Sequence, residues 1–255
     1  MFPVLNIGPL AIQSAGLIIL LGVWIGLSWA EKNASKHGIH PDLIYTVLFL
    51  VFAASLLGAR VGYAVIHLES YKNHVWDMLS LNFYSMDWST AILIGVLTFL
   101  IYTQKKNIPV WAFLDSIIPF LLVLNVALAV ASLATLSAIG SETTLPWGIQ
   151  IYGSFRHPVQ IYHLLLAGGM VFLFWPTRKI VFGIERKQLL PGAEFGLFLM
   201  IVSLSLIIVQ TFRADVPLSF LSVNLYHWIG LFGLITGILL IRKRILFMDE
   251  GGVND

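Results

Sequence analysis

The sequence predicts an all-α, polytopic integral membrane bundle of about seven transmembrane helices, and three observations carry that prediction. Of the 255 residues, 58% are hydrophobic and 11% are charged, against about 45–50% apolar and about 25% charged in soluble domains. The apolar residues come in blocks close to the roughly 20 residues needed to cross about 30 Å of hydrocarbon. The basic residues gather on alternate connections between those blocks, as the positive-inside rule requires.

The blocks fall at about 9–30, 43–67, 88–104, 109–139, 157–176, 192–213 and 222–242. The first follows Met1-Phe2-Pro3-Val4, which has no basic stretch, and its apolar run is too long for a signal-peptide core; it is expected to stay in the mature protein. The second leads into an arm at about 68–87, where Tyr71, Trp76 and Phe83 lie among polar residues, a composition suited to the headgroup region. The third block has a short apolar centre, and the fourth is long enough to tilt or to run beyond the bilayer. An outer loop at about 140–156 carries Thr143, Thr144 and Pro146, which favour extended or turn structure. The sixth and seventh blocks complete a single transmembrane domain over residues 1–255, with basic loops at about 31–42 and 177–191 and a tail at 243–255.

Orientation follows from the charges. With the N-terminus outside and the C-terminus inside, Lys32, Lys36, Lys105, Lys106, Arg178, Lys179, Arg186, Lys187, Arg242, Lys243 and Arg244 are cytoplasmic, which is eleven of the fifteen basic residues. That asymmetry agrees with an odd number of spans. Glycine pairs four residues apart, Gly22 with Gly26 and Gly233 with Gly237, each lie on one helix face and permit close helix packing.

Chemistry is sparse. There is no cysteine, so thiol nucleophiles, disulfides and iron–sulfur clusters are excluded. No zinc-protease, phosphate-loop or nucleophile-elbow motif occurs; His37 and His40 lack an evident third ligand. No metal, cofactor or nucleic-acid partner is expected. Ionisable groups inside spans are costly and point to function by default. Asp115, in the fourth block, reads as a buried structural partner. Arg60, Arg156 and Arg213 lie at similar depth near the outer ends of three blocks. Converged, they would make a phosphate pocket; separate, each would snorkel or pair with a carbonyl or a carboxylate such as Asp215. Spacing leaves both arrangements open.

Several segments resemble the bacterial prolipoprotein diacylglyceryl transferases. Leu145-Pro146-Trp147-Gly148, followed by Arg156-His157-Pro158-Val159-Gln160-Ile161-Tyr162, is similar to that family's paired LPWG and RHPxQ segments. Gly58-Ala59-Arg60-Val61-Gly62-Tyr63 resembles its second-helix motif, Asp115 with Pro119 its DxxAP stretch, and Thr211-Phe212-Arg213 the end of its sixth-span motif. The resemblance implies a multi-pass protein of the bacterial plasma membrane that acts on phosphatidylglycerol and the signal segment of a prolipoprotein. It marks Arg60, Tyr63, Arg156, His157, Gln160, Tyr162 and Arg213 as candidates for lipid or phosphate binding.

Against that pattern the residues expected to do the chemistry are replaced. Ala15 stands where the family has a first-span tyrosine, Thr90 at a histidine, Ala129 at an arginine, Ser132 at an asparagine, Ser137 at an acid and Leu206 at a second arginine. Tyr162 is followed by His163 rather than glutamate, and Gln210 replaces another glutamate. Loss of one positioned donor typically costs about 100–1,000-fold in rate. The expectation is a noncatalytic or repurposed relative that binds an anionic phospholipid or a membrane partner. The alternatives are an active transferase with non-standard residues, using His157 or His163 as base, and a structural subunit or transporter.

Overall fold

The computed structural model describes residues 4–7, 10–71, 85–175, 180–181, 184–185, 189–215 and 224–251. Its order is a hairpin of β1 (Val4–Ile7) and β2 (Leu10–Gln13), then helices α1 (Ser14–Ala34), α2 (Pro41–Ile66), α3 (Trp88–Lys105), α4 (Val110–Ser116) and α5 (Ile118–Thr135). A second hairpin, β3 (Ile149–Ile151) and β4 (Ser154–Arg156), precedes α6 (Val159–Leu173). A two-residue pairing of β5 (Ile180–Val181) with β6 (Ile184–Glu185), then α7 (Ala193–Thr211) and α8 (Leu225–Gly251), complete the chain. All three hairpins are antiparallel.

Among the described residues, five helical segments are long and apolar enough to cross a bilayer: Ser14–His37, Pro41–Ile66, Ile118–Thr135, Ala193–Thr211 and Leu225–Arg244. The chain is thus a polytopic helical membrane protein. The expected count of seven is not reached on that measure. Helix α6 has only 15 residues, and the apolar centre of α3 is flanked by polar residues at both ends, Trp88-Ser89-Thr90 and Gln104-Lys105. The helices leave large apolar side chains on their outer surfaces, including Trp24, Phe49, Phe52, Ile92 and Phe232, as a lipid-facing bundle does.

Two expected boundaries are corrected. Residues before 14 pair as a hairpin, so the first helix begins five residues later than the apolar run. The expected fourth span, 109–139, is two helices broken at Ile117. Pro119 has no N–H for the Asp115 carbonyl, so the α-helical ladder cannot continue through it. Asn33 on α1 satisfies the freed oxygens: its Nδ2 donates to the Asp115 and Ser116 carbonyls, each at 3.3 Å.

Chain punctuation sets the other ends. Helix α1 runs through a 3-10 turn to Gly38, whose φ of +69° is the left-handed conformation glycine tolerates. Helix α2 opens on Pro41, where a missing N–H costs nothing. Asp87 caps α3, accepting the Thr90 N–H at 2.7 Å and the Thr90 hydroxyl. Of the expected 68–87 arm, the structure describes a 3-10 turn at Leu68–Tyr71 and residues 85–87; the rest lies outside the described residues, as does most of the 177–191 loop. The 243–255 tail begins inside α8, which continues to Gly251.

Helices pack closely through small residues. A Cβ at Gly22 would overlap the Ala127 methyl, and one at Gly26 would lie 3.1 Å from the Phe120 carbonyl, so α1 meets α5 backbone to backbone. Gly233 and Gly237 do the same for α8 against α7: the first faces Ser203, and the second would place a Cβ 2.9 Å from the Gly196 carbonyl. Both glycine pairs therefore serve packing. One buried cluster joins α1, α2 and α4 around Phe113 and Val47; another joins α5, α6 and α7 around Leu122, Met170 and Phe198.

Candidate functional site

The loop end of α5, the start of α6 and the far half of α7 enclose a cavity of about 260 Å³. Seven neutral polar side chains contribute to its wall: Asn125 and Ser132 on α5, Ser137 just beyond it, Gln160 and His163 on α6, and Ser205 and Gln210 on α7. Arg213 is the one cationic residue among the described lining. Val202, Leu206 and Val209 supply an apolar side.

The wall is built by short-range geometry. Leu136, at φ +52°, ends α5 in the left-handed region and turns the chain back over its own end. The segment that follows threads between two others: Gly140 bridges Arg213 and Glu142 bridges Arg156. The Tyr152-Gly153 turn, with φ of +53° and +83°, then closes β3 onto β4; two consecutive positive φ values match the twist of a tight hairpin. That ladder positions Arg156 and Arg213 through backbone pairing to one strand.

Inside the cavity, His163 Nε2 lies 3.0 Å from the Asn125 side-chain carbonyl. The Asn125 amide nitrogen donates to Met170 Sδ at 3.4 Å, which fixes the carbonyl toward histidine because a thioether cannot donate. A neutral His163 ring therefore donates from Nε2 and keeps Nδ1 as an acceptor. Gln160 is 1% exposed. Its Nε2 donates to the Ala138 carbonyl at 2.5 Å, and its Oε1 has no partner among the described residues. Gln210, also buried, accepts from the Asn224 side chain at 3.3 Å.

The arginines are engaged elsewhere. Arg213 makes a two-pronged bond to Asp215, Nε to Oδ1 at 2.9 Å and Nη2 to Oδ2 at 2.8 Å. The guanidinium holds the Asp215 carboxyl below the usual carboxylate range. Arg156 Nη2 donates to Glu142 at 2.9 Å and Nη1 to the Gly140 carbonyl at 3.2 Å. Arg60 is buried; it donates to the Ser85 carbonyl at 2.8 Å and lies 5.6 Å from the centre of the Tyr71 ring. Only Arg213 of the three is part of the cavity wall.

The other sequence candidates divide in the same way. Gln160, Ser132, Ser137 and Leu206 line the cavity. His157 and Tyr162 stand beside it in an aromatic group with Phe212, where the Tyr162 hydroxyl accepts from Trp147 Nε1 at 2.9 Å and pairs with His157 Nδ1 at 3.1 Å. Tyr63 stacks on His67. Ala129 is fully buried. Thr90 is held by Asp87, and its side chain lies where a Cβ at Gly62 would go; Ala15 lies on the first turn of α1. Asn125 and Ser205 were not singled out from sequence. An amide within Leu124-Asn125-Val126 is a signal in its own right, since an intramembrane polar group needs a partner.

Asp115 has no place in the cavity. Its carboxylate accepts the Gly192 N–H at 2.6 Å and the Phe195 N–H at 2.8 Å, so it caps the first turn of α7 from α4.

Fold and cavity together define a polytopic helical membrane protein with a polar chamber walled by α5, α6 and α7. The chain belongs to the prolipoprotein diacylglyceryl transferase family, whose model matches residues 3–243. Similar relatives are the phosphatidylglycerol–prolipoprotein diacylglyceryl transferases of Streptococcus pyogenes serotype M5 (strain Manfredo), serotype M49 (strain NZ131) and serotype M18 (strain MGAS8232). Each is 27% identical over 256 residues, covering 94% of this chain and 93% of the relative.

Proposed function

We propose that this chain is a noncatalytic or repurposed member of its family that holds the polar end of a membrane lipid in the α5–α6–α7 cavity. The carrying observation is the charge of that wall. Neutral side chains dominate it, and its arginine is already matched by Asp215. Transfer from phosphatidylglycerol, the reaction in the relatives' names, would form a bond from a thiol sulfur to the lipid glycerol carbon. That carbon's bond to a phosphate oxygen would break, glycerol phosphate would leave, and the thiol proton would pass to a base. Developing charge on the leaving phosphate calls for aimed cations or donors; Ser132, Ser137 and Leu206 supply no charge. The natural setting under this reading is a bacterial plasma membrane, with the N-terminus and the cavity on the outer side.

The test is transfer of lipid from phosphatidylglycerol to a lipobox peptide by the purified, folded chain in lipid, beside an active relative. No thioether product is expected, and thiol-dependent product would overturn the noncatalytic reading.

One observation favours active transfer instead: the Asn125–His163 pair leaves His163 Nδ1 as an acceptor, the arrangement of an oriented general base. On that reading product forms, and His163→Ala abolishes it while the protein stays folded.

A further inference from the structure

Beside the polar cavity lies a second, apolar one of about 350 Å³ between α7 and α8. Leu199, Ile229, Phe232 and Thr236 line it, and it shares Val202 and Leu206 with the polar cavity. Those two residues form a common wall, so a hydrogen-bonding compartment and a hydrocarbon compartment adjoin across the α7 side chains. An amphiphile with a small head and an acyl chain matches that division.

The head is defined by what the polar compartment lacks. Gln160 Oε1 is an acceptor on a side chain 1% exposed, with no partner among the described residues. The amide cannot be turned round, because its nitrogen is held by the Ala138 carbonyl. His163 Nδ1 is a second acceptor. Gln160 Oε1 calls for a donor, since an unsatisfied buried acceptor is costly, and the half-buried His163 ring can take one as well. A phosphodiester is a charged acceptor: its own oxygens donate nothing to Gln160, and, whatever hydroxyls its headgroup carries, its charge would enter a compartment whose one cation among the described residues is neutralised by a two-pronged carboxylate. A hydroxyl-bearing head offers donors to both groups and can accept from Ser137 and Ser205.

We infer that the ligand is a lipid with an uncharged, hydroxyl-bearing headgroup, a diacylglycerol or glycosyl-diacylglycerol, its head against Gln160 and His163 and an acyl chain in the α7–α8 compartment. This rests on the reading of the cavity as a lipid site. Leu206 is the discriminating residue: it stands in the shared wall, and an arginine there would add an unmatched cation beside the headgroup.

The experiment is native mass spectrometry of the full chain in detergent after equilibration with vesicles holding equal amounts of monoglucosyl-diacylglycerol, diacylglycerol, phosphatidylglycerol and phosphatidylethanolamine. An uncharged lipid is expected to be retained over phosphatidylglycerol by about tenfold or more, since only the charged lipid brings an unmatched phosphate into the compartment. Leu206→Arg should move that ratio toward phosphatidylglycerol, and Gln160→Leu should weaken retention of the uncharged lipid. Equal or preferential retention of phosphatidylglycerol would overturn the inference and leave the lipid site standing. A ratio unmoved by Leu206→Arg, in protein that keeps its helical circular dichroism, would overturn the charge argument. Retention of none of the four lipids by folded protein would sink both the inference and the lipid reading.

Discussion

The Asp115 carboxylate takes the Gly192 N–H at 2.6 Å, so a residue on α4 caps a helix from 77 positions earlier in the chain than the N-cap it binds. Gly192 can present that N–H because it sits at φ +93°, in the region glycine reaches without strain. Phe195 N–H completes the cap at 2.8 Å. The first turn of α7 thus depends on a tertiary contact, where most helices use their own preceding side chain.

Asp115→Ala leaves two N–H groups at the start of α7 without their acceptor. The expected loss is about 2 kcal/mol or more, since each buried orphan costs about 1–3 kcal/mol. A lowered thermal midpoint in detergent, larger than that of Asp115→Asn, would bear it out; Asn keeps one acceptor oxygen. Equal midpoints for Asp115→Ala and the parent would refute the capping role.

Gly22→Val should destabilise by about 1–3 kcal/mol, the usual range for forcing bulk into a filled contact, because the new side chain must occupy the space of the Ala127 methyl. Gly168→Val is the control: nothing lies within 4 Å of a Cβ there. Chemical or thermal unfolding of both variants decides the matter, and similar losses would contradict close α1–α5 packing.

Asp215 titrates below its ordinary value because Arg213 hydrogen-bonds its ionised form. The folded state therefore prefers the carboxylate, and the pair stabilises the fold at pH values above the unfolded carboxyl pKa. That contribution falls away as pH drops through the lower, folded value. The midpoint difference between the parent and Asp215→Asn should be largest near neutrality and shrink below about pH 4. A difference that grows on acidification would show the sign to be wrong.

Asn125→Leu removes the side chain that orients His163. Interhelical hydrogen bonds in membranes average about 0.6 kcal/mol, so the thermal midpoint should change little. The cavity's chemistry should change more: the His163 ring loses its fixed tautomer, and lipid retention in native mass spectra should drop. A large loss of stability with unaltered lipid retention would make the pair a structural one.

The membrane class was legible early because apolar blocks and basic loops are local, additive signals. The packing role of Gly22, Gly26, Gly233 and Gly237 was legible for the same reason: four-residue spacing sets a helix face. The break inside 109–139 was less so. Pro119 announced it, yet an apolar run reads as one span until the freed carbonyls of Asp115 and Ser116 are seen to rest on Asn33, more than 80 positions earlier.

By itself the sequence determined that this is a helical membrane protein and which family pattern it follows. Hydropathy and motif identity need no knowledge of neighbours. The tertiary structure alone decided that Arg156 and Arg213 meet Glu142 and Asp215, that Arg60 turns to Tyr71 and Ser85, and that Gln160 keeps a buried acceptor without a partner among the described residues. A charge's meaning depends on the groups within a few ångströms of it, and those groups come from distant parts of the chain.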